Sequence, residues 1–578
     1  MTIIKGILTY TLIFIGLVIG VGVILVGIMY FFPSVSVFGY KFYQGNDRGT
    51  IYEIIPSADK TGTANGLIYI DKAITDDLDA VEIVAKEFDV NVKIFKGSET
   101  STQSFRVEFT KSISGFVEKN SDGPTFTIET KKKCLTGENV EKNVVTFTVN
   151  EPKGLYLNRN AHITVWVADN ICGGKLNDLR IESGKGSINF EQGYLTDDKT
   201  GDPNLNINNV TVKDKADTLE IKHINILNAL TINAESCNFS IDRALACDIN
   251  LDCKKGKFKF GDINRKIASE KAIVKIDAVN ADVQFNDIDG DVRLTSDYGF
   301  FRANKIIGNF SSLSHNITDI NNACDIDVKR VDGETVIQND SGKIVLGQVG
   351  LVTEDVALRI DTKSGNVTVS NCFAKTAKID STRGSVQINN ALCDAKIVTT
   401  YGSVNIEFMA DNAKVEGVAD ADVANAITAL KTKKLDIKTG NERGDGTITA
   451  KNIRGQATLN SGGSGNVVAH FLNLTGVNEI TSSRGGVEVV VPQKVETAVT
   501  GGVCTGFWLD WKANKSADIK ILTFKETKVN ASGCAEYNNK EGIKAVYVGG
   551  LADESNPTKM TVKANNNVKI YDASYYAM

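Results

Sequence analysis

The sequence predicts an all-β chain, a single β-solenoid carried behind an N-terminal transmembrane helix. Three observations predict it. A phrase recurs between Leu358 and Ile406 as Ile360-Asp-Thr-Lys-Ser-Gly365-Asn-Val-Thr-Val, Ile379-Asp-Ser-Thr-Arg-Gly384-Ser-Val-Gln-Ile and Ile397-Val-Thr-Thr-Tyr-Gly402-Ser-Val-Asn-Ile. Its glycines step by 19 and then 18 residues, and a fixed period of about twenty marks a stacked array, because one coil cannot bury its apolar face alone. Within the phrase, apolar and polar residues alternate on both sides of a Gly and a hydroxyl residue. That is the pattern of two half-buried strands joined by a bend.

From Ile7 to Phe32 there is no charged side chain, and about 20 apolar residues span a bilayer. Residues 1–33 therefore read as a transmembrane signal-anchor. A cleaved signal peptide would have a shorter apolar core and an Ala-x-Ala-like site after it. Pro33 ends the helix, and Tyr30, Phe31, Phe32, Tyr40 and Tyr43 suit an interfacial aromatic belt. Lys5 lies on one side, and Lys41, Arg48 and Lys60 on the other. These basic residues slightly favour a cytoplasmic body. A five-residue segment ahead of a long apolar run favours a body outside, which is the expectation taken. Gly16-x3-Gly20 would let two such helices pack closely, although glycine is common in membrane helices in any case.

Residues 34–79 are of mixed composition and are expected as a juxtamembrane linker. The solenoid is expected over 80–491. Its opening alternates at Val81-Glu-Ile83, Asp89-Val-Asn-Val92 and Phe105-Arg-Val107-Glu-Phe109. Asp76 to Phe88 also fits an amphipathic helix, but the β-branched content favours strands. The phrase appears with Gly186, Gly299 and Gly342 before the central copies, and with Gly446, Gly465 and Gly485 after them. Alternating pairs Leu358/Ile360, Ala377/Ile379 and Ala395/Ile397 run upstream of the central glycines, with Ala413/Val415 continuing the series. An Ala-rich insertion from Val418 to Leu430 suits a short helix. If Gly384 sits at a bend needing positive φ, Gly384→Val should be much worse than Lys378→Val, because a β-branched side chain is strained there.

Beyond Pro492 the rhythm breaks. An open solenoid end exposes strand edges and core, so 492–578 is expected to form a C-terminal β cap, its final strand running from Met560 to Ile570. Trp508 and Trp511 belong either to that cap or to an aromatic ligand platform, for example for a sugar.

Apolar residues make up 42% of the chain, net charge is -5 and the pI is about 5.7. That composition supports a large core and carries no basic footprint for nucleic acid. Ten cysteines are dispersed without a Cys-x2-Cys pair, which argues against zinc ribbons and thioredoxin-like chemistry. They read as small core residues or as disulfides such as Cys504 with Cys534. Sequons such as Asn238 and Asn366 matter only in a host that glycosylates exported proteins. His162, His223, His315 and His470 have no metal-ligand spacing. Asp287-Ile-Asp-Gly-Asp291 fails the calcium-loop frame and reads as an Asp-Gly bend. No cofactor or metal is expected.

At these residues the chain resembles a family of bacterial β-strand-repeat domains described as putative adhesins. The features that carry the resemblance are Val81-Glu-Ile-Val and Asp89-Val-Asn-Val92, followed by the Gly-bent repeat, over about Ala80 to Val491. It implies a membrane-anchored envelope protein with a right-handed β-helical body, and it supplies no catalytic residues.

Three functions follow as expectations. The first is a non-catalytic, extracytoplasmic scaffold or adhesin-like surface for an envelope protein or glycan partner. The second is a membrane-tethered, β-helical carbohydrate-active enzyme. It draws on Asp361 and Asp380, at equivalent places in consecutive coils and flanked by Arg383, although Val398 ends that acidic ladder. The third is a sensor or regulator anchored facing the cytoplasm.

Overall fold

The computed structural model describes residues 2–45, 50–59, 61–64, 67–85, 88–97, 104–110, 113–121, 123–135, 139–151, 153–159, 162–183, 187–193, 204–213, 218–241, 243–313, 323–411, 413–416, 418–440, 444–492, 495–499, 502–505, 507–520, 546–548 and 557–573. It divides into two compact units, Met1–Lys259 and Phe260–Met578. That boundary falls inside the block 80–491 expected as one domain.

The first unit opens with a helix, Thr2–Phe31. From Ile15 onward, where side chains are described, Leu17, Ile19, Val23 and Ile24 are all more than half exposed. Among the described residues no helix is long and apolar enough to cross a membrane. The end of the helix packs on a small antiparallel sheet through Met29, Phe42 and Phe116.

The described residues of 34–79, expected as a linker, include strands and a short helix. Tyr40–Gln44 joins that small sheet, and Thr50–Ser57 pairs with Leu67–Asp71 and Phe105–Phe109. Their alternation is weaker than in the repeats, which is why composition alone read as linker. A short helix, Lys72–Asp76, is capped by the Asp71 side chain accepting from the Ala73 amide at 2.9 Å. Ala80–Ala85 is a strand, as its β-branched content requires. It pairs in parallel with Lys175–Ser183, and Asp89–Phe95 pairs in parallel with Ile188–Gly193.

In the second unit two parallel ladders run side by side. One stacks Thr335–Asn339, Ala357–Thr362, Thr376–Ser381, Asp394–Thr399, Lys434–Thr439, Gln456–Ser461 and Val477–Ser482. The other stacks Ile344–Val349, Val367–Cys372, Val386–Ala391, Val404–Phe408, Ile448–Ile453, Val467–Phe471 and Val487–Val491. Each coil is thus two strands and two bends. Ile360, Ile379, Ile397 and Ile437 stand in register and are fully buried. Leu435/Ile437, and not Ala413/Val415, continues the series after Ala395/Ile397. The chain leaves the ladder for an excursion that includes helix Asp420–Ala429. Val423 and Ile427 are the buried face of that helix, and counting at a fixed period cannot anticipate its length.

At the C-terminus Met560 to Ile570 is two strands, Lys559–Ala564 and Asn567–Asp572, separated by Asn565 and Asn566. They add a coil onto Val477–Ser482 and Val487–Val491. The chain segments Phe507–Ala513 and Ser516–Lys520, earlier in sequence, pair on the far side of that coil. The cap therefore continues both ladders. The terminal coil is intercalated beneath the one that precedes it in sequence.

Gly384 does not have the positive φ expected of it, and the repeat glycines share another job. Gly299 alone among those described has positive φ, +103°; Gly186 lies outside the described residues. At the others the missing Cβ makes room for the coil below. A Cβ at Gly365 would lie 2.0 Å from the Gly342 carbonyl oxygen, at Gly384 1.9 Å from that of Gly365, and at Gly402 2.0 Å from that of Gly384. The series continues with Gly446 over Gly402, Gly465 over Gly446 and Gly485 over Gly465, while Gly342 stands over Cys324. Stacked strands lie about 4.8 Å apart, and at this corner the backbones meet closely enough that only hydrogen fits.

A hydroxyl residue at the end of the incoming strand closes the bend, three positions before the glycine at Gly365, Gly384, Gly402 and Gly485 and seven before it at Gly446. Ser381 Oγ donates to the Gly384 carbonyl at 3.1 Å, Thr399 Oγ1 to that of Gly402 at 2.5 Å, and Thr439 Oγ1 to that of Gly446 at 2.7 Å. The Gly365 and Gly485 amides donate to Thr362 Oγ1 and Ser482 Oγ. These hydroxyls are buried, so the bonds satisfy polar groups that water does not reach.

Candidate binding groove

The bends that carry the hydroxyl residues also shape a cavity. Gln338, Asp361, Asp380 and Val398 occupy one register position on successive strands. The bend residues Asp340, Lys363, Thr382 and Thr400 follow two positions later. Together with Asn339, Thr362 and Ser381 these residues line a groove of about 390 Å³. It crosses the strands and follows the stacking direction, so equivalent side chains recur along it at the coil spacing of about 4.8 Å.

Its charges are balanced locally. Lys363 Nζ lies 3.2 Å from Asp340 Oδ1, Arg359 Nη2 3.1 Å from Asp361 Oδ2, and Lys378 Nζ 3.1 Å from Asp380 Oδ2. The last two pairs are within one strand and partly exposed, and such pairs contribute little to stability. Asp340 differs. It is 4% exposed, and its Oδ2 has no hydrogen-bond partner among the described residues. Its backbone carbonyl accepts from the Lys363 and Ser364 amides at 3.0 and 2.8 Å, which fixes the residue at the mouth of the bend. A buried carboxylate oxygen without a donor is costly.

The expected site residues are placed unevenly. Asp361 and Asp380 line the groove, whereas Arg383 is exposed on the bend and does not. Trp511 is 1% exposed and points into the cap core, so the aromatic-platform expectation fails for it: a buried indole has no face to offer a ligand. Trp508 is half-buried on the same strand. A pairing of Cys504 with Cys534 lies outside the described side chains, and His315 is likewise outside. His162 Nε2 is 3.4 Å from Thr110 Oγ1. His470 is half-buried; burial, aided by Lys451 and opposed by Glu488, lowers its pKa. Asp289 and Asp291 sit where one long strand turns into the next, bound by Arg265 and by the Asn309 amide. No group of three metal-ligating side chains occurs among the described residues. Asp340 and Lys363 are the charged groove residues that sequence reasoning missed. Asp340 precedes its glycine where later coils carry Lys363, Thr382 and Thr400, a contrast visible only once the coils are aligned.

Comparison with known proteins adds the following. Residues 308–425, which include the groove, match the family model described as Toastrack DUF4097. The repeat family resembled by the sequence therefore holds over that segment, about a fifth of the chain. No curated protein matches. Among solved structures, a putative adhesin from Parabacteroides merdae ATCC 43184 aligns over 63% of this chain and 98% of its own, at 11% identity and a TM-score of 0.18.

Proposed function

We propose that the protein is a membrane-anchored, extracytoplasmic β-solenoid that acts as a non-catalytic, adhesin-like binding surface, with a neutral glycan chain lying in the groove over Asp340, Asp361 and Asp380. The carrying observation is the groove itself. Its acceptors recur at the coil spacing, its charges cancel in pairs, and one buried carboxylate oxygen lacks a donor. A polyhydroxylated neutral ligand supplies donors without bringing charge, whereas a polyanion would meet the carboxylates. Anchoring is supported by the uncharged run from Ile7 to Phe32 and by the exposed apolar side chains of its described part. A helix whose apolar side chains are exposed over most of its described length suits lipid.

The test is a glycan array with the full chain in nanodiscs, comparing wild type with Asp380→Ala and Thr382→Trp. Retention of neutral glycans that falls at least tenfold in both variants, at unchanged melting temperature, is the expected result. Equal retention would remove the groove. Protease treatment of intact cells carrying a tag after Met578 should remove the tag; protection that persists in wall-stripped cells would reverse the orientation.

The same groove favours one second reading, a carbohydrate-active enzyme, because it brings Asp361 and Asp380 together. Each of these carboxylates already engages a cation two residues earlier, and Arg383 stands apart. New reducing ends on incubation with array-positive glycans would establish turnover and displace the non-catalytic reading.

A further inference from the structure

Cys372 ends the strand Val367–Cys372, and Cys393 follows the strand Val386–Ala391 of the next coil. The two strands are paired with Cys372 opposite Ala391, and the Leu392 amide donates to the Cys372 carbonyl at 2.8 Å. Cys393 is therefore brought back over Cys372 as the chain turns into Asp394–Thr399. Both residues are 0% exposed, and their sulfurs lie 3.7 Å apart. We infer that Cys372 and Cys393 form a disulfide that staples these two coils when the chain folds in an oxidising compartment.

Each sulfur moves by rotation about its own residue's χ1, and the two are already in contact, so rotations of both side chains toward each other bring them to bonding distance. The closed loop, 372 to 393, contains the strand Thr376–Ser381 and the bend residue Thr382. The staple thus fixes the middle wall of the groove.

The chemistry needs an oxidant, and a small-molecule or protein disulfide supplies it. One cysteine thiolate attacks that disulfide, forming a mixed disulfide and expelling one thiolate. The second cysteine thiolate then displaces the other half. Two protein thiols are oxidised, one external disulfide is reduced to two thiols, and the two protein protons pass to water or to the leaving thiolates. In the folded state the neighbouring Cys372 thiol, and then burial, push the Cys393 thiol well above its usual range. The exchange therefore belongs to folding, before the coil closes. The inference stands on the pair's geometry and does not require the groove to bind glycan.

The test starts from full-length protein, denatured and fully reduced, then refolded in detergent in a glutathione redox buffer. Free thiols are alkylated in denaturant, and the digest is analysed by mass spectrometry. The expected product is a peptide pair joined through Cys372 and Cys393. It should be absent from Cys393→Ser and be converted by reductant to two separate thiol peptides. Recovery of both cysteines fully alkylated without reductant, or of either joined to a different cysteine, overturns the inference. Because the wild-type chain alone gives that answer, a variant that fails to fold does not protect the proposal. Groove binding by oxidised and reduced samples, measured separately, keeps a failed cross-link distinct from a failed glycan reading.

Discussion

Replacing Gly384 by Ala adds one methyl group, and the structure says where it goes. The new Cβ would lie 1.9 Å from the Gly365 carbonyl oxygen, whereas real Cβ atoms essentially never come nearer than 3.0 Å. The two coils must separate locally by about 1.1 Å to relieve that overlap, taking 3.0 Å as the closest approach. The bend is tied to the coil below by the Thr382 amide donating to the Thr362 carbonyl at 3.1 Å and the Arg383 amide to that of Lys363 at 2.7 Å. A shift of that size stretches both beyond hydrogen-bonding distance. Losing two net hydrogen bonds at about 1 kcal/mol each, with an overpacking cost of about 1–3 kcal/mol, gives roughly 3–5 kcal/mol. Gly486 is the control, because a Cβ there meets nothing closer than 3.3 Å, and Gly486→Ala should cost under about 1 kcal/mol. Stacked repeats lose structure locally and a chain of this length is not two-state. Hydrogen exchange at the amides of Thr376–Ser381 and Val386–Ala391 is therefore the assay, with melting temperature alongside. Equal protection in the two variants would refute the close-approach argument. So would a Gly384→Asn variant as stable as wild type, since asparagine tolerates positive φ but still carries a Cβ.

Three further outcomes are expected. Thr399→Val keeps the shape but strands the buried Gly402 carbonyl that Thr399 Oγ1 now satisfies. It should cost about 1–3 kcal/mol in denaturant unfolding, with Thr399→Ser much milder. The pKa of His470 is lowered in the fold, first by burial and then by Lys451, so the unfolded chain binds its proton more readily. Its contribution is fully present above the unfolded imidazole value of about 6.5 and is lost as pH falls through that value. His470→Gln should flatten the decline in melting temperature between about pH 7 and 5, and an unchanged slope would exclude His470 as its source. Burial pushes the Cys324 thiol up to about 12, while Cys134 is exposed. Native-state alkylation followed by mass spectrometry should modify Cys134 and spare Cys324; early labelling of Cys324 would mean that its coil opens readily.

Whatever depends on residues within one coil was legible in the sequence, and whatever depends on the fit between coils was not. The buried isoleucines and the hydroxyl three before Gly365, Gly384, Gly402 and Gly485 announce strand and bend because alternation and turn chemistry act over a few residues. The glycines were found for an incomplete reason. Sequence shows that a Cβ is unwelcome at Gly384, but positive φ and a carbonyl from the coil below exclude it equally well. Only the distance to Gly365 separates the two causes. Trp511 was ambiguous in the same way, because an aromatic residue reads alike in a core and on a platform until burial is known. The groove was least visible. The step from Gly342 to Gly365 is 23 residues, against 19 and 18 for the next two. Asp340 therefore does not fall beside Lys363 and Thr382 under any single period. The extra residues lie between Val349 and Ala357, in the bend on the other side of the coil, and they leave the register of Gln338 with Asp361 intact. Solenoids accept such insertions at bends because ladder pairing resets the register at every strand. A site built from consecutive coils is consequently conserved in space while its spacing in sequence drifts. In chains of this kind, polar residues two positions beyond the core isoleucine's outward neighbour should be compared coil by coil, with each coil aligned on its own glycine.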